Sequence, residues 1–121
     1  MGILIACLTT GKGTWNSVSE LINSEEWKKI YLITNKFGKE NYTVNKEVQF
    51  VEISSSATTE KIRDKIIEDL KDLRQEIGFN DVAINFTSGT GKEHMAMLSA
   101  ILKLGTGIRI VDTDNKILKN L

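Results

Sequence analysis

Residues 87–95, TSGTGKEHM, set three hydroxyls, two glycines and a lysine between the apolar run VAINF and the run AMLSAILKL. That mixture suits an anion. Thr87, Ser88 and Thr90 can donate to phosphate or ribose oxygens, and Lys92 is a point charge for a phosphate. Gly89 and Gly91 let the backbone come close to a ligand, and the exposed N–H groups at a helix start favour negative charge. A second loop of similar make-up, TTGKGTWNS at residues 9–17, follows the first apolar run and holds Thr9, Thr10, Gly11, Lys12, Gly13 and Thr14. Each loop has a plainer reading as a turn that caps a helix. Two such loops, each with a lysine, favour a nucleotide or phosphate ligand.

Two familiar phosphate motifs do not fit. A dinucleotide fingerprint needs a third glycine where Asn16 stands, and an acid after the second strand, where Thr34, Asn35 and Lys36 stand. A P-loop needs glycine at 86 and a hydroxyl at 93, and those positions are Phe86 and Glu93. His94 is the only histidine and Cys7 the only cysteine, so no metal cluster of the usual spacing is visible, and no cofactor is expected. His94, on a helix's first turn, could approach a ligand or serve packing. Trp15 either covers the sheet or stacks on a base.

The elements that must position these loops alternate. Ile3–Leu8 reads as a strand, a helix follows from about Thr14, and Lys29–Thr34 and Glu47–Ile53 are further strands. Ser56–Ile77 reads as one helix, with Ile62, Ile66, Leu70, Leu73 and Ile77 at three- and four-residue spacing and Gly78 closing it. Ala83–Phe86 is a fourth strand, Lys92–Leu104 a helix and Gly107–Val111 a fifth strand; the tail DTDNKILKN allows a turn and a short last strand. Such alternation predicts an α/β fold, a Rossmann-like, mostly parallel sheet of five to six strands with helices on both faces. Ligands of such sheets bind beyond the carboxyl ends of the strands, where both glycine loops fall.

The 121 residues suffice for one domain, residues 1–121, and no linker or repeat is visible. A net charge of zero provides no global field toward DNA or an anionic membrane, so no direct DNA binding is expected and any phosphate site is local. No run approaches the ~18 apolar residues of a spanning helix. A lone cysteine suits a reducing cytoplasm.

The segment NFTSGTGKEHMAMLSAILKLGTGIRIVDT resembles the signature of CARF domains, the CRISPR-associated Rossmann-fold sensors of cyclic oligoadenylates. Asn85, Thr87, Ser88, Gly89, Thr90, Lys92 and Met95 match its order, with Gly91 and His94 as insertions, and ILIACLTTGKGTWNSV is similar to the family's first strand and ligand loop. The resemblance implies a homodimer with a cyclic oligoadenylate, tetra-adenylate by preference, across its two-fold axis. Loops Thr9–Thr14 and Ser88–Lys92 would line the groove. Most members carry a C-terminal nuclease or DNA-binding domain, and this sequence stops at Leu121. That leads to the expectation of a stand-alone form resembling the ring nucleases, which cleave the ligand without metal by attack of a ribose 2′-OH and so end type III CRISPR signalling. In that form Lys92 carries the phosphoryl charge, helped by Thr10, Lys12 and the N–H groups of Gly89 and Thr90. The alternative is a non-catalytic sensor that regulates a separate or missing effector.

Overall fold

The computed structural model describes residues 2–8, 11–78 and 80–121. Strand β1 (Ile3–Cys7) leads through a 3-10 turn (Lys12–Thr14) into helix α1 (Trp15–Asn23). There follow β2 (Lys29–Thr34), α2 (Lys36–Asn41), β3 (Gln49–Glu52), α3 (Thr59–Asp69), α4 (Leu73–Ile77), β4 (Val82–Asn85), α5 (Gly91–Leu104), β5 (Ile108–Asp114) and β6 (Ile117–Asn120). The six strands form one sheet in the order β3-β2-β1-β4-β5-β6. The first five run parallel and β6 pairs antiparallel with β5. The expected Rossmann-like α/β sheet is therefore present.

β1 is central, with Ile5 registered against Tyr31 on one side and Ile84 on the other. All five of its residues are buried, as a strand covered on both faces requires. Its side chains alternate between two cores. Ile3, Ile5 and Cys7 join Ile62, Ile66, Leu70, Leu73, Met97 and Ile101 from α3 to α5. Leu4, Ala6 and Leu8 join Trp15, Val18, Leu21, Ile22 and Tyr42 on the other face. The period of two along each strand creates both layers.

Several boundaries differ from the sequence reading. The helix expected over Ser56–Ile77 is two helices, α3 capped by the Thr58 side chain and α4 after a turn in which Leu73 N–H donates to Leu70 O at 2.9 Å. Three- and four-residue spacing cannot separate the two cases, because an i to i+3 turn also keeps Leu70 and Leu73 buried. Helix α2 has no apolar period to announce it. The Asn35 side chain accepts from Gly38 N–H at its start. A Cβ at Gly38 would lie 2.0 Å from Thr34 Oγ1, so glycine is required for α2 to fold back onto β2. Strand β3 is shorter than Glu47–Ile53, and β5 runs past Val111 to Asp114. Asn115 and Lys116, both at positive φ, then make the two-residue hairpin into β6.

Candidate ligand site at the carboxyl edge of the sheet

Strand order reverses between β1 and β4, so the loops after them diverge to opposite faces and leave the crevice where such sheets take ligands. The structure joins these two loops directly. Thr14 Oγ1 donates to Ser88 Oγ at 2.7 Å, across 74 residues of sequence. Ser88 is buried, and its carbonyl accepts the Nε2 N–H of His94 at 2.8 Å. His94 also packs against Phe86, with ring centroids 5.0 Å apart and the rings tilted by 51°. Gly89 sits at φ 105°, where a Cβ would be 2.9 Å from Cys7 Cβ. Only glycine lets this loop lie down on the end of β1.

Other residues of the loop shape it. Buried Asn85 donates through Nδ2 to Val111 O at 2.9 Å and accepts from Thr87 N–H at 3.1 Å, tying β4 to β5 and turning the chain. Thr87 is exposed, with Oγ1 3.5 Å from Asp112 Oδ1. Thr90 and Glu93 form a reciprocal capping box: Thr90 N–H donates to Glu93 Oε1 at 2.9 Å, and Glu93 N–H to Thr90 Oγ1 at 3.3 Å. The plainer role of Thr90 as a cap is thus present. Gly91 opens α5, and nothing lies within 4 Å of where its Cβ would stand.

The two lysines part company. Lys92 Nζ donates to the carbonyls of Ser55 and Ala57, each at 2.8 Å, bracing the β3–α3 loop against the start of α5. Lys12 is exposed between Gly11 and Gly13, with Nζ 5.7 Å from the centre of the Trp15 ring. Thr9 and Thr10, expected in the first loop, lie outside the described residues. Thr14, Ser88, Gly89 and His94 come together. Lys92 is turned toward the β3–α3 loop, whose part in the site no motif announced. Asn35 and Phe37 also reach this edge. Asn35 Nδ2 donates to Ser55 Oγ at 3.0 Å, and Phe37 packs 6.1 Å from Trp15.

Cys7, beneath the site, is chemically quiet. Burial, then the Glu93 carboxylate, push its thiol far above the ordinary range, and it donates weakly to Met97 Sδ at 3.8 Å. The edge can offer N–H groups, hydroxyls and the Lys12 ammonium to an anion that lies over Thr14 and Gly89. Among the described residues, no three or more His, Cys, Asp or Glu side chains cluster to hold a metal, and no helix is long and apolar enough to cross a membrane.

No family model matches the chain, and no curated protein matches it in sequence. Solved structures do match. Csm6 of Enterococcus italicus, bound to cyclic hexa-2'-fluoro-hexa-dAMP, superposes with a TM-score of 0.65 at 11% identity, over 95% of this chain and 34% of that one. Protein VC1899 from Vibrio cholerae superposes with a TM-score of 0.65 at 15% identity, over 99% of this chain and 33% of that one. The fold is shared with both. The chain spans about a third of the length of either protein.

Proposed function

We propose that this chain is a CARF domain that binds a cyclic oligoadenylate, tetra-adenylate by preference, in a groove between two copies. The observation that carries the reading is the Thr14–Ser88 hydrogen bond. It draws two glycine- and hydroxyl-rich loops together at the reversal of strand order, in a fold shared with Csm6 bound to cyclic hexa-2'-fluoro-hexa-dAMP. A two-fold dimer suits a ring with an even number of nucleotides, since each copy meets an identical half. Helix α5 supplies a face for pairing. Met95, Leu98 and Leu102 recur along it at three- and four-residue spacing, exposed by 62%, 37% and 61%. That stripe begins one turn from the loop at Ser88.

The ring-nuclease form adds cleavage. The ribose 2′-oxygen loses its proton and bonds to the neighbouring phosphorus. The bond from phosphorus to the 5′-oxygen breaks, and that oxygen takes up a proton, leaving a 2′,3′-cyclic phosphate and a 5′-hydroxyl. The protein's part is alignment and charge stabilisation, with Lys12 and the N–H groups of Gly89 and Thr90 near the phosphate. Lys92 joins them only by leaving the Ser55 and Ala57 carbonyls, and this engagement favours the sensor reading, binding without turnover.

Incubation with cyclic tetra-adenylate in EDTA, followed by chromatography, separates the two. Linear products with cyclic-phosphate ends support cleavage. Intact ligand that nonetheless raises the melting temperature supports the sensor. Neither cleavage nor a thermal shift ends the proposal.

A further inference from the structure

One cavity on the carboxyl edge lies outside both glycine loops. It occupies about 360 Å³ at the tips of β2 and β3, between Asn35 and Phe37 on one side and Glu52, Ser54 and Ser55 on the other. It continues the candidate site in two ways. Ser55 gives its carbonyl to Lys92 and its Oγ to Asn35 Nδ2, so one residue belongs to both. Phe37 packs against Trp15, over whose ring Lys12 sits. β2 and β3 stand one and two strands from β1, a span of about 10 Å. That is the reach of one nucleotide from its phosphate to the far edge of its base.

The lining matches an amino-substituted aromatic heterocycle. Phe37 is 41% exposed on an otherwise polar edge and offers a ring for stacking. Ser55 Oγ accepts from Asn35 and keeps its own O–H as a donor for a ring nitrogen. The Glu52 carboxylate, in an exposed contact with Lys39 at 3.5 Å, can accept from an exocyclic amino group. A donor beside an acceptor complements the ring-nitrogen and amino edge of adenine and opposes the carbonyl edge of hypoxanthine or uracil.

We infer that this cavity is a base subsite, in which an adenine of the bound ring stacks on Phe37 and presents its amino edge to Ser55 and Glu52. The inference rests on the proposed binding of cyclic oligoadenylate and adds to it the position of a base and the origin of selectivity. Ser55 also gives its carbonyl to Lys92, so the loop that would meet the base is the one this lysine braces.

The test is calorimetric titration of cyclic tetra-adenylate and its inosine-substituted analogue into wild type, Phe37→Ala, Phe37→Tyr and Glu52→Gln. The expected result is binding of the adenylate ring that weakens roughly 5- to 150-fold in Phe37→Ala, the worth of one base on an aromatic ring, and is retained in Phe37→Tyr. Wild type should prefer the adenylate to the inosine ring, and Glu52→Gln should narrow that preference. Wild type that binds the ring, with Phe37→Ala binding equally well, overturns the subsite and leaves ring binding standing. Should Phe37→Ala not fold, an adenine preference unchanged in Glu52→Gln overturns it instead. Wild type that binds neither ring overturns the subsite together with the function it rests on.

Discussion

Thr14 and Ser88, 74 residues apart, meet through their hydroxyls at 2.7 Å, and this contact ties the loop after β1 to the loop after β4. Removing one hydroxyl therefore loosens both loops at once. Thr14→Val keeps the side chain's shape and leaves Ser88, which is buried, without that donor. Ligand affinity should fall by about tenfold, with about 1 kcal/mol lost from stability. Calorimetric titration and urea unfolding measure the two quantities, and an unchanged dissociation constant would remove Thr14 from the site.

Lys92 holds the Ser55 and Ala57 carbonyls, so its replacement by methionine should free the β3–α3 loop. Amide hydrogen exchange across residues 54–58 should then speed up, including at Ala57, whose N–H donates to Ser54 O at 3.0 Å. Lys92→Arg should restore part of the protection. If exchange in that loop is the same in wild type and Lys92→Met, the lysine is not its anchor.

Gly89 and Gly91 stand two residues apart in one motif and differ in kind. Gly89→Ala forces a side chain into positive φ and against Cys7, and should cost roughly 1–3 kcal/mol. Gly91→Ala places a methyl group in open space at the first turn of α5, and should change stability by less than about 1 kcal/mol, in the stabilising direction. Urea midpoints of the two variants give the comparison, and equal losses would contradict it.

At the opposite edge of the sheet, Glu76 accepts from Lys29 Nζ at 2.5 Å and from Tyr31 OH at 2.8 Å. Burial raises the Glu76 carboxyl, but the Lys29 and Tyr31 hydrogen bonds outweigh it and hold the group below the usual carboxylate range. Lys29 is held above its ordinary value, chiefly by its hydrogen bond to Glu76. The depressed carboxyl contributes stability above its unfolded value, lost as pH falls through the folded one. The raised ammonium contributes below its unfolded value, lost as pH rises through the folded one. The stability difference between wild type and Glu76→Gln should thus be constant across neutral pH and shrink at both extremes. Its size should be about 1 kcal/mol at most, because both side chains are partly exposed. Urea midpoints from acid to alkaline pH provide the check, and a difference that grew toward low pH would contradict the assignment.

Local pattern determined the order of most elements and the identity of the two loops. Residues such as Ile3, Ile5 and Cys7 against Leu4 and Ala6 already state that β1 is covered twice, because alternation is a property of the strand itself. The glycine at 89 and the cap at Thr90 are likewise local, set by backbone angles and a four-residue box. Helix α2 escaped, since KFGKEN lacks a periodic apolar face and is held by Asn35 and by the fit of Gly38 on Thr34. What Lys92 touches was beyond any motif. Its partners lie 37 and 35 residues away, on a loop brought near only when α3 packs beside α5. The sheet order that puts β1 beside β4, and hence Thr14 on Ser88, is a choice among pairings that burial of the whole core makes. Residue types therefore marked two loops with the chemistry for an anion, and both fall at this edge. Only the packed chain decided which hydroxyls meet, where the lysines point and that Phe37 packs against Trp15.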